Sequence, residues 1–162
     1  HMKNLKKTLI FTVLCTFTVL LFTACGGKSS SDSADVSVDV KQLCTDLEGT
    51  IDSEVSEVSN DIIASTYFVD MEKIDEAAAA LNSGSNACEV LVLKCKDASY
   101  VSEVEDLLKK RVESQSALFA SYNAPEVAKL DAALIKSKGN YVVFCVTDHN
   151  DKAEEILKEA GL

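Results

Sequence analysis

Two stretches of the chain share one pattern: a strand-like apolar run, a glycine turn, a second apolar run and a helix-like segment. The first spans about residues 73–109 and the second about residues 129–158. Gly84 and Gly139 stand at the turns, where glycine readily adopts the positive φ of tight hairpins. The pattern predicts a ββα–ββα pseudo-repeat. Its four-stranded, mainly antiparallel sheet would carry packed helices, which is an α+β fold.

The alanine run Ala77–Ala80 is ambiguous when it is read alone. Alanine has the highest helix propensity of all residues, which favours a helix. The corresponding segment of the second stretch, Ala132–Lys136, lies directly before a glycine hairpin. The comparison of the two stretches therefore predicts a strand over residues 76–82, against propensity.

Residues 88–95 and 141–146 are apolar at most positions, so both faces of the predicted sheet need cover. A long helix over about residues 99–122 and a terminal helix over about 151–160 are expected on the face of Leu91. N-terminal helices are expected on the other face. In the alternative, that second face is left for a partner or for a second copy of the chain. The residues whose helical spacing predicts the N-terminal helices are Val36, Val40, Leu43 and Leu47, followed by Ile51, Val55, Val58 and Ile62.

The first 25 residues have the layout of an export signal. Three lysines precede an uncharged apolar stretch over residues 9–22, which is shorter than the about 20 residues of a membrane-spanning helix. Small residues then lead to Cys25. The layout predicts a lipoprotein signal peptide over residues 1–24, with Cys25 as the lipidated first residue of the mature protein. The alternatives are an uncleaved membrane helix and an ordinary secretory signal.

Lipid on Cys25 would hold the protein at the outer face of the cell membrane. Each buried CH₂ contributes about 0.8 kcal/mol, so two or three acyl chains anchor firmly. The predicted partner is therefore the lipid bilayer, reached through acylated Cys25, and the predicted location is extracytoplasmic. Residues 25–37, rich in Gly, Ser and Asp, are expected to form a flexible tether. Residues 38–162 then form a single α+β domain.

The charge of the chain argues against nucleic acid as a partner. The formal net charge is −10, and it becomes more negative once the basic leader is removed. Such a surface repels phosphate backbones, and no basic patch interrupts it. The sequence does not predict a particular protein partner.

Arg111 is the polar residue whose position most needs an explanation. On a helix of about 100° per residue, Arg111, Gln115 and Tyr122 fall in the middle of the apolar arc. A guanidinium buried there must be paired or hydrogen-bonded. In one interpretation, Arg111 and Gln115 bind loop carbonyls or a carboxylate from the segment around residues 67–75. In the other, Arg111, Gln115 and Tyr122 form a half-buried pocket for an anionic ligand.

Four cysteines fall in the predicted domain. Cys88 and Cys95 lie on one strand about 23 Å apart, too far for a bridge. Cys44 could form a disulfide with Cys145 or Cys88; the alternative is four buried thiols that act as small hydrophobes. No spacing of cysteine and histidine fits a metal site. The sequence predicts no metal, no cofactor and no catalytic residues.

The chain resembles the exported lipoprotein domains of low-GC Gram-positive bacteria that are catalogued as domain of unknown function 4358. The resemblance covers about residues 67–162 and implies an exported lipoprotein, without any implied activity. Two departures are Phe68, where glycine is common, and Ala77–Ala80, which replace bulkier strand residues. The segments that carry the resemblance are the glycine hairpin before Glu89–Lys94, the helix with Arg111 and Gln115, Tyr122–Glu126 and Gly139–Val142.

These observations predict a membrane-anchored extracytoplasmic lipoprotein with a non-enzymatic binding or accessory role. One alternative is a ligand receptor or enzyme that uses the pocket around Arg111, Gln115 and Tyr122. The other is a homo-oligomeric structural protein of the cell surface.

Overall fold

The structure, a computed structural model, describes residues 36–162, and within this range the chain forms one five-stranded sheet. The strands are β1 (Ser56–Glu57), β2 (Ile74–Leu81), β3 (Glu89–Cys95), β4 (Leu134–Lys138) and β5 (Tyr141–Val146). Their order across the sheet is β1-β2-β3-β5-β4, and every neighbouring pair is antiparallel.

Five α-helices accompany the sheet in the described part of the chain. None of them is both long enough and apolar enough to cross a membrane. The helices are α1 (Val40–Glu48), α2 (Asn60–Tyr67), α3 (Val101–Tyr122), α4 (Val127–Asp131) and α5 (Asn150–Glu159).

The alanine run belongs to a strand, as the comparison of the two stretches predicted. Ala77, Ala79 and Ala80 lie in β2, opposite Leu93, Leu91 and Val90 of β3. Ladder hydrogen bonds and burial between apolar neighbours therefore outweigh the helix propensity of alanine.

An α+β fold built on an antiparallel sheet is confirmed, but the prediction of four strands is wrong. The additional strand is β1, a two-residue edge strand whose side chains are exposed, so no apolar alternation marks it in the sequence. The helix expected from Ile51, Val55, Val58 and Ile62 is also wrong over most of its length, since only Ile62 of these four lies in a helix. Helix α2 begins only at Asn60, after Ser59, whose side chain accepts a hydrogen bond from the Ile62 amide.

The two halves of the predicted pseudo-repeat do not match in detail. Residues 82–88 connect β2 to β3, whereas the two residues Gly139 and Asn140 connect β4 to β5. The helix after the first hairpin has 22 residues and the helix after the second has 10. These two helices also pack on opposite faces of the sheet.

Each face of the sheet carries its own buried cluster. The first face, which bears Leu91, Leu93 and Phe144, packs against α2, α3 and Leu130. The second face, which bears Val90 and Val92, packs against α1 and α5. Cover of the second face by the N-terminal helix agrees with expectation. The placement of the terminal helix on the first face was wrong, because its apolar residues, Ala153 and Leu157, lie in the second cluster.

Candidate functional site

Arg111, on α3, forms an ion pair with Glu89, the first residue of β3. Nη2 of Arg111 lies 3.2 Å from Oε1 of Glu89, and Nε donates to Oε1 at 3.2 Å and to Oε2 at 3.4 Å. The hydroxyl of Tyr67, at the end of α2, donates to Oε2 of the same carboxylate. Cζ of Arg111 stands 5.6 Å from the centroid of the Tyr67 ring. We call these three residues the Arg111 cluster.

The alternation of side chains along β3 places Glu89 on the first face of the sheet, which α2 and α3 cover. Side chains alternate along a strand, so Glu89 shares the first face with Leu91 and Leu93. Helix α3 packs on that face through Leu108 and neighbouring apolar residues. Glu89 is only 3% exposed, and this burial is tolerable because every polar atom of its carboxylate has a partner.

Burial dominates the electrostatics of the Arg111 cluster. It raises the pKa of the Glu89 carboxyl, and the Arg111 charge and the hydrogen bond from Tyr67 oppose this rise without cancelling it. The pKa of the Tyr67 phenol is raised well above its usual value, first by burial and then by the neighbouring Glu89 charge. Tyr67 therefore stays a neutral donor to Glu89 at physiological pH.

The structure gives Arg111 both features that the sequence posed as alternatives. Its guanidinium pairs with an internal carboxylate, and the same residue lines two cavities. The acidic partner was expected within residues 67–75 and instead comes from Glu89. Tyr67 is the member of that segment that takes part, through its hydroxyl. A glutamate within a strand that is buried on both faces was the sequence signal for this partner.

The first cavity, here called the hairpin cavity, lies between α3 and the loop that joins β2 to β3. Its volume is about 110 Å³. Arg111 and Gln115 meet there, as the pocket interpretation expected, but Tyr122 is not among the lining residues. The lining consists of Leu81, Asn82, Gly84, Asn86, Glu89, Arg111, Gln115, Leu118 and Phe119.

Tyr122 takes a different position from the one predicted by the helical wheel. It is 57% exposed and stacks on Phe119, with ring centroids 5.2 Å apart. Its hydroxyl donates to the carbonyl oxygen of Gly84. Tyr122 therefore ties the end of α3 to the β2–β3 loop, beside the hairpin cavity.

The second cavity, here called the helix cavity, lies between α2 and α3 on the other side of the Arg111 cluster. Its volume is about 200 Å³. Two basic side chains, Lys110 and Arg111, line it together with apolar ones, and the lining includes no acidic side chain of the described residues. The lining residues are Thr66, Tyr67, Phe68, Leu107, Lys110, Arg111 and Ser114.

A larger recess, about 490 Å³, lies elsewhere, between the start of α1 and the end of α5. Asp39, Asp46 and Glu159 line it, without any basic side chain. It shares no residue with the cavities at Arg111, and its carboxylates repel an anionic ligand.

A second polar cluster centres on Lys129, in α4. Its Nζ lies 3.0 Å from Glu126 Oε1 and 2.8 Å from Asp148 Oδ1. Burial alone would lower the pKa of Lys129, but its hydrogen bonds to both carboxylates raise it. The pKa of Asp148 is lowered, because Lys129 and the amide of Asp52 outweigh its partial burial. Glu126, which directly precedes α4, also accepts a hydrogen bond from the Ala87 amide at 2.9 Å and so links this end of α4 to the loop before β3.

The described residues form no group of three or more metal-ligating side chains. His149 forms a hydrogen bond with Asp52, with its Nε2 2.7 Å from Oδ1. Cys25 lies outside the described residues, so its lipidation stays a prediction from the sequence.

Four cysteines of the domain, Cys44, Cys88, Cys95 and Cys145, are buried free thiols in the structure. Burial raises the pKa of Cys44, Cys88 and Cys145 to about 12 and that of Cys95 to a lesser extent. Cys44 and Cys145 both lie in the buried cluster on the second face of the sheet. A disulfide between Cys44 and Cys145 stays a prediction, to be tested by non-reducing peptide mapping.

Alkylation of these four thiols is expected to be slow in the folded protein. Thiolate is the reactive form, and burial raises the pKa of all four thiols, to about 12 for Cys44, Cys88 and Cys145, so little thiolate is present at pH 8. We expect iodoacetamide to label the corresponding peptides at least about a hundredfold more slowly without urea than with it. Mass spectrometry of the digested protein measures each rate. Equal rates in both conditions would contradict the burial of these side chains.

Comparison with known proteins gave one match. The family model described as a domain of unknown function, DUF4358, matches residues 49–147, which is more than half of the chain. The match runs from the end of α1 to the end of β5 and includes the Arg111 cluster. Neither curated proteins nor solved structures gave a match.

Proposed function

This chain belongs to the DUF4358 family, and we propose that it is a lipid-anchored extracytoplasmic protein whose folded domain has a non-enzymatic binding or accessory role. The family description states no activity. The proposal therefore depends on the residues of this chain.

The observation that carries the binding role is the pairing of polar groups around the Arg111 cluster. Glu89 accepts hydrogen bonds from both Tyr67 and Arg111, and the Tyr67 hydroxyl is engaged with Glu89, so neither Glu89 nor Tyr67 is a free base or nucleophile. The buried thiols of the described residues have raised pKa values, which is the opposite of activation. Among the members of the Arg111 cluster, Arg111 is the residue that lines both cavities, where a ligand can reach it. Such an arrangement suits recognition of a ligand better than its chemical conversion.

The lipid anchor is supported by the sequence around Cys25. A basic start, an uncharged apolar stretch and small residues precede this cysteine. Residues 26–35 separate it from the first described residue. An anchor at Cys25 would present the domain at the membrane surface.

Cys25→Ala tests the anchor. In a bacterial host that processes lipoproteins, we expect the unaltered protein in the membrane fraction and the variant in the soluble extracytoplasmic fraction, because it lacks the acceptor sulfur. Immunoblots of the fractions measure this partition. The matched control is Cys15→Ala, which removes another cysteine of the leader and should leave the protein at the membrane. Membrane retention of Cys25→Ala, or an unmodified Cys25 in the natively made protein, would contradict the proposal.

A second candidate is a ligand receptor with the hairpin cavity as its binding site. The meeting of Arg111 and Gln115 there favours it. At about 110 Å³, this cavity is well below the about 300 to 1,000 Å³ of drug-sized sites. Only a very small anion would fit.

A further inference from the structure

Phe68 combines a backbone conformation and an exposure that the fold alone does not require of a phenylalanine. It ends α2 with φ 61° and ψ 27°, and it is the only non-glycine residue with positive φ among residues 36–162. A bulky residue in this left-handed conformation is strained, and glycine is the usual choice at such a helix end. Phe68 is 78% exposed, so burial of its side chain offsets little of this backbone strain.

The backbone turn at Phe68, in contrast, has a structural purpose. Its amide donates to the Ala64 carbonyl at 2.9 Å, which closes the last turn of α2. The next residue, Val69, is buried in the first cluster. The fold therefore needs the left-handed turn, and glycine would supply it without the aromatic ring.

The ring stands at the helix cavity, beside two basic side chains. Lys110 is exposed and makes no ion pair with any described residue. Arg111 uses Nε and Nη2 for Glu89, whereas Nη1 has no hydrogen-bond partner in residues 36–162. No side-chain nitrogen or oxygen of that range is buried without a partner, so Nη1 reaches solvent. In a chain of net charge −10, these cations form a local anion-binding surface.

We propose that the helix cavity binds a small anion that also has an apolar part. Its carboxylate or phosphate group contacts Lys110 and Arg111, and its apolar part packs against Phe68 and Leu107. The cavity volume of about 200 Å³ is below the about 300 to 1,000 Å³ of drug-sized sites, which limits the ligand to a small molecule. Glu89 holds one edge of the Arg111 guanidinium in place, and this leaves the other edge for the ligand. The inference deepens the proposed binding role but does not depend on the lipid anchor.

The test is a titration of the whole chain, followed by NMR of backbone amides, with benzoate, phenyl phosphate and the neutral analogue benzamide. We expect benzoate or phenyl phosphate to give saturable shifts at Phe68, Leu107 and Ser114, and the tighter of the two identifies the head group. Benzamide should bind at least about fivefold more weakly. Equal affinity for benzamide, shifts confined to the hairpin cavity, or no saturable shift at about 10 mM would overturn the proposal.

Variants at the helix cavity separate ligand binding from folding. Lys110→Gln should weaken binding about two- to fivefold, whereas Lys109→Gln, on the same helix but outside the cavity, should leave it unchanged. Phe68→Gly should weaken binding about tenfold and raise Tm by about 4 °C, because the strain is relieved. Phe68→Ala should weaken binding equally without that rise in Tm. A lower Tm for Phe68→Gly would show that the ring serves the fold, and would overturn the argument.

The Cys25→Ala variant distinguishes this inference from the proposed function. It should leave membranes and still bind benzoate or phenyl phosphate with unchanged affinity. Loss of anion binding with normal membrane release would overturn the inference alone. Retention at the membrane with normal anion binding would overturn only the anchor.

Discussion

Arg111→Leu is expected to lower the free energy of unfolding at pH 7 by about 3 to 5 kcal/mol, because it leaves a buried carboxylate without its cation. Glu89 is 3% exposed, and after the substitution only the hydroxyl of Tyr67 would still donate to it. Urea unfolding followed by circular dichroism measures the change. The reciprocal variant Glu89→Leu should lower the free energy of unfolding by less. The Arg111 side chain is 21% exposed, so its unpaired guanidinium can be hydrated.

The loss of unfolding free energy caused by Arg111→Leu should depend on pH. Burial raises the pKa of Glu89 and Arg111 opposes the rise, so the variant raises it further. The folded variant then keeps a proton that the unfolded chain releases above the usual glutamate value of 4.5. Its stability therefore falls as pH rises from that value through the folded pKa. The difference from wild type should be smaller at pH 4.5 than at pH 7, and an equal difference at both would contradict the account.

A matched control lies two residues before Arg111 in the chain. Lys109 pairs with Asp106 at 3.6 Å, and both side chains are about two-thirds exposed. Lys109→Leu should change the free energy of unfolding by less than about 1 kcal/mol, as exposed pairs do. The contrast isolates burial as the cause of the larger effect.

Lys129→Met is expected to lower the free energy of unfolding by about 2 kcal/mol. This value lies between the less than about 1 kcal/mol of exposed pairs and the about 3 to 5 kcal/mol of fully buried ones. The substitution leaves Glu126 and Asp148 without their shared cation, while the Lys129 side chain itself is 28% exposed. Urea unfolding at pH 7 measures the loss.

The control for Lys129→Met is Lys94→Met. Lys94 pairs with Asp75 alone, at 3.3 Å, and half of the Asp75 side chain is exposed. We expect this variant to leave the free energy of unfolding nearly unchanged, because exposed ion pairs contribute little to stability. Similar losses for both lysine variants would show that the Lys129 cluster contributes no more than a surface pair.

Much of the sheet could be predicted from the sequence, because apolar alternation and glycine turns are local signals. Comparison of the two stretches identified β2 in spite of its alanines. The faces of β3 and β5 follow from side-chain alternation alone, and the structure confirms them. The two-residue strand β1 has no such signal, since backbone hydrogen bonds to β2 define it and its side chains are exposed.

The contacts between elements were harder to predict than the elements themselves. The helical wheel placed Arg111, Gln115 and Tyr122 on one arc, and the structure brings the first two to one cavity. Tyr122 ends the helix, where the sheet no longer covers it, so it is exposed. The choice of face for α5 depends on the path of the chain after β5, which periodicity does not encode. In the sequence, Phe68 stands out only as a departure from glycine, because a positive φ cannot be read from a phenylalanine.

The coupling free energy between Glu89 and Arg111 tests most directly that a buried ion pair joins helix α3 to strand β3. It comes from the unfolding free energies of wild type, Glu89→Leu, Arg111→Leu and the double variant. We predict a coupling of at least about 2 kcal/mol, with the double variant more stable than Arg111→Leu, because two leucines leave no charge buried. A coupling within about 0.5 kcal/mol of zero would contradict the account.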